Sequence, residues 1–91
     1  MMSFTFDEVP RPAFLHLLDT IREHGVETPF YEMSGAETIG TFRSDAGSGT
    51  FSHDGQRLTV TIVRDNGHFS KLMIKGGLRQ LVSEAVERRI A

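Results

Sequence analysis

Three features of the 91-residue sequence predict a two-layer α+β fold. Between residues 37 and 75, short stretches of alternating apolar and polar residues are separated by glycine-containing turns, the pattern of an antiparallel meander. Two longer stretches, Pro12 to Gly25 and Gly77 to Ile90, carry apolar residues at helical spacing. Their order gives an N-terminal edge strand, a helix, a meander of about four strands and a closing helix, β-α-β-β-β-β-α. Both amphipathic helices are expected on one face of the sheet.

Ser3 to Asp7 alternates and reads as the short edge strand, with Phe4 and Phe6 inward. Proline is tolerated only in the first turn of a helix, so Pro10 and Pro12 set a start near Arg11 or Pro12. Gly25 sets the end. Phe14, Leu17, Leu18 and Ile21 form one stripe, with His16, Asp19, Thr20 and Glu23 on the other side. Val26 to Ala36 is a connection broken by Pro29 and Gly35 and anchored by Phe30, Tyr31 and Met33, with room for a short extended piece. Glu37 to Arg43 reads as a strand, Asp45 to Ser48 as a turn and Gly49 to His53 as the next strand. A two-residue loop at Asp54-Gly55 pairs Phe51 with Leu58 and Gly49 with Val60, which puts Phe51 on the buried face.

The stretch from Arg57 to Gly77 is the predicted centre of the sheet. Leu58 to Ile62 alternates and is rich in β-branched residues. A three-residue turn at Asp65-Asn66-Gly67 then sets Ile62, Val60 and Leu58 opposite Ser70, Leu72 and Ile74 of a return strand. The opposite face carries Arg57, Thr59, Thr61 and Val63 facing Lys75, Met73, Lys71 and Phe69. Gly76-Gly77 steps into the final helix, whose stripe is Leu78, Leu81, Val82, Ala85, Val86 and Ile90.

This length is that of one domain spanning residues 1–91, with a modest core. The absence of cysteine excludes a disulfide framework, a thiolate nucleophile and a thiolate-held zinc. No apolar run approaches the length of a membrane span, and the start MMSFTFDEVPRP has neither the basic region nor the apolar core of a signal peptide. A cytoplasmic location is expected. The net charge of −2 conceals a split: residues 1–45 carry eight acids and three bases, residues 46–91 four acids and seven bases. Such a split lets two parts of one fold, or two subunits, attract each other. Duplex nucleic acid is not an expected partner, because its binders have clustered cations and a strongly basic balance.

Catalytic chemistry has no signature here. His16 and His24 stand eight residues apart on one helix, and His53 and His68 fall at opposite ends of the sheet, so neither pair shares a metal ion. Ser34 and Ser70 lack the strained strand-to-helix turn that exposes a nucleophile. No catalytic residue, metal or cofactor is expected. Two surfaces remain. With both helices on one side, the outer sheet face leaves Ile39, Val63, Phe69 and Met73 as an apolar patch ringed by cations, the signature of an interface. Its expected partner is a second copy in a homodimer, or else another protein. The alternative is an anion site at the start of the second helix, where Gly76 and Gly77 would admit a phosphate or carboxylate to free amides beside Lys71, Lys75 and Arg79.

Overall fold

The computed structural model describes residues 2–45, 47–65, 67 and 71–90. Met2–Phe6 forms β1, which runs antiparallel to β5 (Leu58–Asp65) with Met2 opposite Ile62 and Phe6 opposite Leu58. This pairing decides the topology. β5 has β4 (Gly47–His53) on its other side, and β3 (Glu37–Ser44) and β2 (Tyr31–Ser34) complete an antiparallel sheet of order β1-β5-β4-β3-β2. The chain order is β-α-β-β-β-β-α, as the sequence predicts.

The four-strand meander begins one hairpin earlier than expected. The extended piece after the first helix is β2, joined to β3 by a tight turn in which Gly35 takes φ +61°, a conformation that glycine adopts without steric cost. Of the return strand expected at residues 69–75, residues 71–75 are helical. Residues Lys71–Ile90 make one helix, α2, which starts six residues before Gly77. The edge of β5 that a return strand would need is taken by β1, and Ile74 continues the stripe of Leu78 and Leu81 upstream of the glycines. Phe69 and Ser70, with Asn66 and His68 of the expected turn, lie outside the described residues.

The first helix, α1, spans Arg11–Glu23 and follows Pro10, which has extended backbone angles. It stops at Gly25, where φ is +89°. The Gly25 amide donates to the Arg22 carbonyl at 3.1 Å and the Val26 amide to the Ile21 carbonyl at 3.0 Å, so the last carbonyls are satisfied by a left-handed glycine cap. Ala13, Phe14, Leu17 and Leu18 are buried against the sheet. α2 packs beside α1 and β1 with Val82 and Ala85 buried, so the inner face is covered and the outer face is not.

The β4–β5 register differs from the expected one by two residues: Phe51 lies opposite Val60 and Gly49 opposite Ile62. A two-residue slip keeps every side chain on its face. The loop is longer because the Asp54 carboxylate accepts from the backbone amides of Gln56 (3.0 Å) and Arg57 (2.7 Å), closing a wider turn than Asp54-Gly55 alone.

At that end of the sheet His53 is buried. Its Nε2 lies 2.6 Å from the Val9 carbonyl, while Nδ1 accepts from the Gly55 amide at 3.3 Å, an arrangement that fits the tautomer protonated on Nε2. Its ring stacks on Phe14 at 4.4 Å between centroids. Val9 also donates its own amide to the Gln56 carbonyl at 2.7 Å, and Asp7 pairs with Arg57 at 2.8 Å. The link between β1 and α1 is thereby tied to the β4–β5 turn.

Candidate interaction surface and apolar cavity

Alternation along the strands sends two chemically different sets of side chains to the two faces. The outer face receives Ser3 and Thr5 from β1, Thr59, Thr61 and Val63 from β5, Ser48, Thr50 and Ser52 from β4, and Ile39 and Thr41 from β3. None of these ten positions is ionisable. Hydroxyls meet across the strands: Ser3 Oγ lies 2.9 Å from Thr61 Oγ1, and Thr5 Oγ1 3.4 Å from Thr59 Oγ1. A shallow groove of about 300 Å³ crosses the face between Phe30, Ile39 and the hydroxyls of Thr50, Ser52, Thr59 and Thr61. Phe30 is fixed on its rim by backbone, since its amide donates to Thr41 Oγ1 at 3.2 Å and its carbonyl accepts from the Thr41 amide at 3.0 Å. The Glu27–Arg43 ion pair is exposed on the next rung of β3.

The predicted patch is only partly assembled. Ile39 and Val63 are on this face, 40% and 53% exposed. Met73 is exposed but belongs to α2, on the other side of the sheet, and Phe69 lies outside the described residues. Lys71 and Lys75 are likewise on α2, so the cations beside this face are Arg43 and Arg64, both opposite Ser48 at one end, and its centre is neutral. The sequence reading missed Phe30 and the run of hydroxyls. Their textual trace is the alternation of serine and threonine in Thr59-Val60-Thr61 and Thr50-Phe51-Ser52.

The anion site loses its expected geometry. Gly76 and Gly77 lie inside α2, where their amides serve the helix ladder, and both are exposed with open space around the missing Cβ. Arg79 and Lys75 are exposed along the same helix. Among the described residues no group of three or more His, Cys, Asp or Glu is placed to hold a metal ion. His16 and His24 are exposed, and His24 Nδ1 lies 2.8 Å from the Thr20 carbonyl.

A second concavity lies inside. Between α1, α2 and the inner face is a partly open cavity of about 210 Å³, lined by Phe14, Leu17, Leu18 and Ile21 of α1, Val26, Phe42, Phe51, Leu58, Val60 and Ile62 of the sheet side, and Leu78, Leu81 and Val82 of α2. Among the described residues Ser44 supplies the one hydroxyl in the lining, and it donates to the Gly47 carbonyl at 3.3 Å. The sheet explains the space. Gly40 pairs with Phe51 and Gly49 with Phe42, and a Cβ at Gly49 would come within 2.9 Å of the Phe42 ring. Each ring lies down over the glycine opposite instead of standing up towards the helices.

Compared with known proteins, the chain matches no family model, no curated protein and no solved structure.

Proposed function

We propose that this chain is a small non-enzymatic interaction module that self-associates through its outer sheet face. The observation that carries the reading is the absence of charge at the centre of that face, where Ser3, Thr5, Thr59, Thr61, Thr50, Ser52, Ile39 and Thr41 lie side by side and Arg64 joins the charges at its ends. A sheet face that stays in water is ordinarily studded with lysine and glutamate, whereas the centre of a protein interface is depleted of them and keeps its charges at the rim. Here Glu32, Glu37 and Arg43 stand at the periphery, both signs are present, and Phe30, Ile39 and Val63 supply the larger apolar surfaces. A two-fold pairing suits such a face, because a surface of neutral hydroxyls and a few apolar side chains is complementary to itself.

Sedimentation equilibrium over a wide concentration range tests it. The expected mass is that of a dimer, and Thr50→Lys, which sets an ammonium in the middle of the groove, is expected to give a folded monomer with an unchanged circular dichroism spectrum. A monomer at every concentration in the unsubstituted protein would sink the reading.

A further inference from the structure

We propose that the inner cavity is a binding site for one small uncharged hydrocarbon-like molecule, of one or two rings. Three observations converge. The volume of about 210 Å³ exceeds the roughly 150 Å³ at which an apolar cavity lined by Leu, Ile and Phe stays dry and takes up benzene. Among the described residues no ionisable side chain lines the space, and the Ser44 hydroxyl is already engaged, so a carboxylate or ammonium inside it would be unpaired. The space is also built into the sheet: with Phe42 and Phe51 laid over Gly49 and Gly40, the rings form a floor and leave the volume beneath α1 and α2 unfilled. Part of the wall is α2, through Leu78, Leu81 and Val82.

The test uses toluene and indole as neutral probes and benzoate as the charged control. At about ten times its dissociation constant, a neutral probe is expected to raise the melting temperature by roughly 5–10 °C, with no rise from benzoate. Methyl resonances of Leu17, Val60 and Leu78 are expected to shift with either neutral probe, while those of Ile39 and Val63 on the outer face stay in place. Leu81→Phe, which fills the space, is expected to abolish both responses. Should that variant fail to fold, the methyl shifts of the unsubstituted protein decide alone. The proposal is overturned if neither probe moves the cavity methyls at its solubility limit, if the outer-face methyls move instead, if benzoate is equally effective, or if a folded Leu81→Phe responds as before. Because the outer face and the cavity are read out by different methyls, failure here leaves the self-association reading standing, and the converse holds.

Discussion

At the scale of single residues, the end of the sheet near His53 shows how polar groups are used inside a small core. The imidazole joins the Val9 carbonyl to the Gly55 amide while its ring packs on Phe14, so it fills space and satisfies two backbone groups together. His53→Phe keeps the ring contact but orphans both backbone groups, and is expected to lower stability by roughly 1–3 kcal/mol in denaturant titration. His53→Ala also opens a void and is expected to cost more. Equal losses in the two variants would mean that packing alone matters there. Asp54 is a solvent-facing counterpart: hydrogen bonds from the Gln56 and Arg57 amides favour its ionised form and hold its pKa below the ordinary carboxylate value. Since the folded value is the lower one, this contribution is complete above about pH 4 and is lost as pH falls through the depressed value. Asp54→Asn keeps an acceptor without the titration. The melting-temperature gap between the unsubstituted protein and this variant is therefore expected to shrink in acid, and a gap constant from pH 6 to pH 2 would contradict the assignment.

At the scale of elements, α2 carries two glycines in its interior that touch nothing. Glycine costs a helix roughly 0.5–1 kcal/mol relative to alanine through the freedom it loses on folding. Gly76→Ala and Gly77→Ala are each expected to raise the melting temperature by several degrees, and a loss of stability would place Gly76 and Gly77 outside a continuous helix. The same segment shows what sequence could not decide. Leu72 and Ile74 share one face of a strand, while Ile74, Leu78 and Leu81 recur as a helix face does, and a window of five residues fits both periods. The deciding fact is remote: β1 occupies the edge of β5. By contrast, β3, β4, β5 and α1 were legible because their alternation or stripe runs over most of their length and ends in a turn residue that fits, such as Gly25. The outer positions of Ile39 and Val63 followed from that alternation, whereas Met73 was assigned to the wrong layer with its element. The cavity left one trace, the tripeptide Gly-Thr-Phe at residues 40–42 and again at 49–51. Its meaning depends on antiparallel pairing, which sets each glycine opposite a phenylalanine.

At the scale of the molecule, the split of charge along the chain does not become a split in space. The acidic first half supplies β1 at one edge of the sheet and β3 and β2 at the other, with β4 and β5 of the second half between them, while most of that half's cations belong to α2. Of the ion pairs among the described residues, Arg57–Asp7 joins the two halves, while Arg43–Glu27 and Arg22–Asp19 lie within the first. Attraction between halves is thus used at Arg57–Asp7 inside one copy, and none of these pairs lies at the centre of the outer face. If copies associate through the neutral outer face, the driving force is apolar burial and hydrogen bonding between hydroxyls, which salt screens little. Two consequences follow for the whole protein. The melting temperature is expected to rise with protein concentration, because each tenfold increase adds about 1.4 kcal/mol to a dimer that unfolds as it dissociates, roughly 3–5 °C for an assembly of this size. Raising the salt concentration from about 0.05 M to about 0.5 M, across which the screening length falls several-fold, is expected to leave the association constant nearly unchanged. Dissociation by salt would instead place the contact on Arg43, Glu32 and the other rim charges. A melting temperature independent of concentration would show that one copy folds with its hydroxyl face in water.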